Sequence, residues 1–212
     1  MKSPGSVSVA PLGHGLYEVL VCNNYVNRVT RHVLDGRARF RIKSNEIMLS
    51  KWLDLPDGVA VNRERRWIAI SNHGTHSVLL FENTRHLSRR SEPAGILRYA
   101  NYPHGLCFTP DDNFILVADA GGAFVQVYAK NGGGWHGTRE PVTSVRVVGP
   151  ETFLRGRSDD RDGGPKGLDI DSGMNVLVTT SEYQPLAFFD LPKVLKVSQP
   201  PSTDSAQMAC AT

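Results

Sequence analysis

The side chains best suited to chemistry recur at a fixed spacing. Asp57, His104 and Lys166 each stand between a proline and a glycine, and 14 residues after each glycine (Gly58, Gly105, Gly167) comes a small polar residue: Asn72, Asp119 or Ser181. His73 and Glu182 directly follow the first and last of these, and Asn23 follows Cys22 much as Asn72 follows Ser71. A carboxylate such as Asp57 suits calcium or magnesium, and an imidazole such as His104 suits zinc or another transition ion. Lys166 repels cations, so a ring combining the three suits a small anionic or polyhydroxylated ligand. Each residue also has a plainer reading. Asn and Asp at the end of a strand hydrogen-bond their own backbone, which accounts for Asn23, Asn72 and Asp119 without a ligand. Asp57 before Gly58 is an ordinary turn residue, whereas His104 and Lys166 have no turn propensity. The chain holds no Gly-x-Ser-x-Gly, no His-Glu-x-x-His and no paired thiol and histidine motif, so no reaction is named and the enzyme question stays open.

The elements that must position these residues are short strands. Leu55–His73, Tyr102–Ala120 and Gly164–Glu182 align without a gap. Each runs from Pro-x-Gly into an apolar strand, through a polar hairpin, into a second apolar strand. Third strands follow at Val78–Phe81, Val125–Tyr128 and Leu186–Phe189, and fourth strands at Ile96–Tyr99 and Val145–Val148. Val, Ile, Phe and Tyr dominate them, with Gly, Asp and Asn at their ends. A weaker unit precedes these: Tyr17–Gly36 supplies second and third strands. Asp35-Gly36 then turns into Arg37–Lys43, an outermost strand with one charged and one buried face, whose charge discourages edge pairing. Its first strand, near Val7–Ala10, lacks Pro-x-Gly. No 3.6-residue apolar period is sustained, which excludes a helical solenoid.

Units of roughly 40–50 residues with four strands are propeller blades. The chain is therefore expected to be all-β, a β-propeller of about four four-stranded blades forming a partial ring of the six-bladed type. The propeller domain covers 1–198, with blades near 6–49, 50–100, 101–150 and 163–198, and 199–212 is a Pro/Ser/Thr-rich disordered tail. Trp67, Phe114 and the Phe188/Phe189 pair are expected to pack between or within blades. The glycine-rich stretch at 131–138 and the polar loop 155–164 read as solvated decoration. In a meander, connections alternate between the sheet's two ends. The lead-in residues Asp57, His104 and Lys166 therefore share an end with Asn23, Asn72, His73, Asp119, Ser181 and Glu182, over the central channel.

The Pro-x-Gly lead-in, Phe108-Thr-Pro-Asp-Asp-Asn113 and Val117-Ala-Asp119 resemble the NHL repeat and the related SMP-30/gluconolactonase and YVTN propellers. The resemblance covers roughly residues 17–191. It implies a divalent metal held by acidic and amide residues, some just before the lead-in glycine, where Asp57 and His104 would be the candidates. Lys166 departs from that pattern, and the Glu such enzymes carry in their first blade is not recognisable. Three functions compete: a non-catalytic propeller binding a polar ligand or a protein on its channel face, a metal-dependent lactonase, and an RNA-binding module using Arg63, Arg65 and Arg66.

Composition narrows these. With 40% hydrophobic and 21% charged residues the chain is globular, and its length suffices to bury about 70% of the unfolded surface. A net charge of +3 gives little electrostatic drive towards nucleic acid. No apolar run is long enough to span a membrane, and the N-terminus shows no secretory signal, so a cytoplasmic location is expected. Cys22, Cys107 and Cys210 suggest neither a disulfide framework nor a thiolate metal site. No cofactor is required, with a divalent metal as the alternative. The expected partners are a small polar or anionic ligand or a protein, together with further copies of the chain through open blade ends.

Overall fold

A computed structural model describes residues 3–132 and 134–196. The tail expected at 199–212 lies outside the described residues.

Four antiparallel meanders follow one another. The first blade is β1 (Pro4–Gly13), β2 (Leu16–Asn23), β3 (Arg28–Asp35) and β4 (Arg41–Leu49), in that order across the sheet. The second is β5 (Pro56–Val61), β6 (Trp67–Asn72), β7 (Ser77–Glu82) and β8 (Gly95–Leu97). The third is β9 (Pro103–Phe108), β10 (Phe114–Asp119), β11 (Phe124–Ala129) and β13 (Thr143–Arg146). Between the last two lies β12 (Gly137–Arg139), which returns to pair in parallel with β8 and gives the second blade a fifth strand. The fourth blade has three strands, β14 (Gly167–Ile170), β15 (Val176–Thr180) and β16 (Ala187–Asp190), then the helix α2 (Leu191–Lys196). A second helix, α1 (Pro150–Gly156), precedes it. The first strands of all four blades line one channel of about 460 Å³, so Gly58, Gly105 and Gly167 open equivalent innermost strands. The chain is an all-β partial propeller.

Alternation along each strand builds a core on both faces. Val59, Ile70 and Leu79 meet Leu20, Cys22 and Val29 between the first and second blades. Ala69 and Leu80 face Leu106, Ile115 and Val117 of the third. Leu116, Val125 and Val127 meet Leu177 and the helix residues Leu191 and Val194. Trp67 is buried and Phe114 and Phe189 half-buried, as expected of them. Phe188 is different: it pairs with Val178 on the outward side of the fourth blade and is 68% exposed.

Three local expectations are corrected. Arg37–Lys43 is not a half-buried strand. Gly36–Ala38 forms a 3-10 turn, because Asp35 accepts from the Arg37 backbone. The outer strand begins at Arg41, with Phe40 and Ile42 both exposed. The first strand of the first blade starts earlier than Val7, at Pro4, which pairs with Asn23 as Pro56 does with Asn72. The residues before both prolines, Ser3 and Leu55, hold positive φ. The lead-in is therefore present, but its glycine (Gly5) occupies the position of Asp57, one residue early. Finally, the stretch around Trp135 is core: that side chain is fully buried against Phe108 between the second and third blades.

In the hairpin between β5 and β6, Arg63 and Arg66 are exposed and Arg65 is committed. Arg65 and Arg31 both pair with Glu18, which is 1% exposed, at 3.1 and 2.5 Å. No described helix is long and apolar enough to cross a membrane.

Candidate functional site

The lead-in glycines set the geometry. Gly58 donates its N–H to Ser71 Oγ at 2.5 Å, and a Cβ there would collide with the backbone carbonyl of His104. Gly105 donates to the Lys166 carbonyl at 2.8 Å, and a Cβ on it would also lie 2.8 Å from that oxygen. Each glycine lets one innermost strand press against the next lead-in residue. The backbones of Asp57, His104 and Lys166 are thereby brought round the axis in succession.

Four blades contribute side chains to a cavity of about 290 Å³ at this end of the channel. Asp57 Oδ2 meets His104 Nδ1 at 2.5 Å, and Asn24, from the turn after β2, donates to Asp57 Oδ1 at 3.1 Å. Gly5 makes room for this pair, since a Cβ there would strike both Asn24 and Asp57. His73 opens the 3-10 turn His73–Thr75 after β6. The N–H groups of His73 and Gly74 donate to the Leu55 and Asp54 carbonyls, at 3.2 and 3.0 Å. Its ring lies edge-on to His104, centroids 4.8 Å apart, and 5.0 Å from Tyr102.

Asn72 and Asp119 brace the site without lining it. Asn72 accepts from the Asp54 N–H at 2.7 Å and donates to the Trp52 carbonyl and Thr75 Oγ1. Asp119 accepts from Gln126 Nε2 at 3.0 Å. Asn23 likewise donates to the Val21 carbonyl and Thr30. The propensity of Asn and Asp for strand-end turns is what these positions use. Glu182 is exposed in the turn after β15 and does not line the cavity. Asp57, His73, His104 and Lys166 are brought together; Asn72, Asp119 and Glu182 are not.

The polar loop after α1 is part of the site, which its sequence did not disclose. Asp159, Arg161 and Asp162 line the cavity. The loop is pinned to the third blade by Gly164 N–H donating to the Ala120 carbonyl, 2.9 Å, and by Tyr102 Oη bonding Asp160, 2.9 Å. It neutralises the site's cations: Lys166 Nζ lies 2.7 Å from Asp162, and Arg161 lies 2.8 Å from Asp159. A cluster of Asp, Arg and Gly with no apolar period gives no sign in sequence of which surface it will cover.

The electrostatics follow from burial and pairing. Burial pushes the Asp57 carboxyl up, but His104 and Asn24 outweigh it and hold it below the usual carboxylate range. Burial, with the neighbouring His104, pushes the His73 imidazole down, so it is neutral at pH 7. His73 Nδ1 and Asn24 Oδ1 are buried without a hydrogen-bond partner. Burial pushes the thiols of Cys22 and Cys107 far above the usual thiol range. The site can bind and orient polar groups; no nucleophile and base are paired in it.

Comparison with known proteins agrees with this architecture. A family model described as the NHL repeat matches residues 101–128, the first three strands of the third blade. No curated protein matches the sequence. Among solved structures, hydrazine synthase of Kuenenia stuttgartiensis is similar at TM-score 0.63 and 17% identity, over 91% of this chain and 47% of that one. A functionally unknown protein from Desulfotomaculum acetoxidans DSM 771 gives 0.60 and 16%, over 90% and 55%. A chain of a mitotic checkpoint complex gives 0.54 and 10%, over 82% and 45%. The chain thus spans about half the length of the solved chains it matches. At these identities the likeness speaks for the fold alone. The chain is thus a partial β-propeller whose third blade matches the NHL repeat.

Proposed function

We propose that this propeller is a non-catalytic binding module, whose channel-face cavity receives a polar, polyhydroxylated ligand or a polar side chain of a partner protein. The convergence of Asn24, Asp57, His73, His104, Arg161 and Lys166, from four blades and a covering loop, carries this reading. A hydroxylated ligand needs alternating donors and acceptors, which this lining provides. An anion is less well served, because Lys166 and Arg161 already face carboxylates. The lactonase reading lacks the cage of carboxylate and amide oxygens that a hard cation needs. The RNA reading loses Arg65, which pairs with buried Glu18.

A thermal-shift screen of sugars, polyols and small polar acids against the purified chain tests the proposal. A hit present at about 100 times its Kd stabilises by about 2.7 kcal/mol. That shift should shrink at least severalfold in Asp57→Asn and in Arg161→Ala. A hit whose shift survives both changes binds elsewhere and refutes the reading.

The arc's two outer faces support a second contact, between copies. Val7 and Val9, paired with Val21 and Val19, are 59% and 61% exposed on the first blade. Leu186 and Phe188 on the fourth are 61% and 68% exposed. Blade faces in a propeller bury against neighbours, and exposed apolar patches of this kind mark association sites. Light scattering over a concentration series should show a rising mean mass that falls back in Val9→Lys/Phe188→Lys. A constant monomer mass at all concentrations is the opposite result.

A further inference from the structure

We infer that Asp57, His73 and His104 form a binding site for one divalent transition ion of the zinc class. The inference goes beyond the polar-ligand reading and rests on these three side chains alone. Among the described residues they form the one group of three metal-capable side chains whose ligand atoms all lie within 4.8 Å of one another.

The donor set decides which ion. Calcium takes six to eight oxygens; Asp57 and the unpartnered Asn24 Oδ1 are what the site offers, because Asp159 and Asp162, which also line the cavity, pair with Arg161 and Lys166. The oxygen-bound cation that the family resemblance implies therefore does not fit. Two imidazoles and a carboxylate are a borderline set, of the kind zinc uses with a fourth position left to water or ligand. His73 Nδ1 is buried and lacks a hydrogen bond, so it is open to a ligand. His104 Nδ1 already lies 2.5 Å from Asp57 Oδ2, and an ion held by both side chains would replace the hydrogen bond between them. A four-coordinate ion with bonds of about 2 Å sets its ligand atoms about 3.3 Å apart, and the three atoms here already lie within 4.8 Å of one another. Lys166, whose charge would oppose a cation, is drawn to Asp162.

The second shell is also in place. Asn24 Nδ2 donates to Asp57 Oδ1, orienting the carboxylate as outer partners orient metal ligands. His73 is fixed by its own turn, braced by Asn72.

The test titrates the full chain, stripped with chelator, with Zn²⁺ by calorimetry and with Co²⁺ by visible absorption. One equivalent should bind, with the intense visible band of four-coordinate Co²⁺, and millimolar Ca²⁺ should not displace it. His73→Ala should weaken binding by on the order of tenfold or more. Its melting temperature in chelator checks that the fold is intact, since the His73 ring also packs against His104 and Tyr102. His86→Ala, an exposed histidine on a distant loop, should leave affinity unchanged. Should His73→Ala melt early, His73→Gln keeps much of the side chain's volume and is titrated instead. Absence of binding below millimolar Zn²⁺, affinity unaltered by loss of His73, or displacement by Ca²⁺ would each overturn the inference. A polar ligand that binds the chelator-stripped chain leaves the binding-module reading standing while this one fails.

Discussion

Trp135→Ala is expected to destabilise the chain by about 3–5 kcal/mol, the range for emptying a fully buried tryptophan site. The indole is 0% exposed and joins a cluster drawn from two blades, with Phe108 at 5.9 Å and Trp67, Leu80, Tyr128 and Ile115 in the same core. Its segment continues into β12, whose pairing with β8 fastens the connection of the third blade onto the second. The substitution therefore opens a cavity between blades and loosens a sheet edge together. Urea unfolding followed by circular dichroism measures the loss. Domain stabilities run to about 5–15 kcal/mol, so the change is large enough to move the midpoint well outside error. A loss below about 1 kcal/mol would mean that the stretch around Trp135 is surface after all.

Gly58→Ala is expected to cost about 1–3 kcal/mol or more, as overpacking does, and to impair the site at the same time. Gly58 needs no left-handed backbone; its requirement is space, because the His104 carbonyl occupies the volume a methyl group would need. A backbone carbonyl cannot rotate away as the end of a lysine could. The innermost strands of the second and third blades must separate, and the 2.5 Å contact between Asp57 and His104 spans that very boundary. Loss of stability and loss of ligand or metal binding should therefore appear together. Gly132→Ala is the control and should be neutral, since its added methyl group would meet no atom within 4 Å. Equal melting temperatures for Gly58→Ala and Gly132→Ala would remove the packing explanation for the Pro-x-Gly lead-in.

How much of this was legible in sequence depends on whether the information was periodic. The repeat at Pro56-Asp57-Gly58, Pro103-His104-Gly105 and Pro165-Lys166-Gly167 is periodic because each blade solves the same packing problem. It disclosed the fold, the innermost strands and a set of nine side chains at one end of the channel, of which Asp57, His73, His104 and Lys166 line the cavity. The first blade's lead-in escaped because Gly5 sits one position early, a shift that breaks the motif while preserving the pairing of Pro4 with Asn23.

What the sequence could not fix is whatever depends on one contact made once. Asn72 and Asp119 have the same residue types as ligands, and only their partners, Asp54 and Gln126, make them braces. Asp159, Arg161 and Asp162 lie in an aperiodic polar loop, and its docking on the third blade through Gly164 brings them to the site and pairs Lys166 with Asp162. Arg37–Lys43 alternates as a half-buried strand should, yet burial requires a neighbour, and the outer edge of the first blade has none among the described residues. Alternation and spacing are local properties of the chain and determine which strands form. Which faces are covered, and which charges meet, is settled by long-range packing, to which no short stretch of sequence has access.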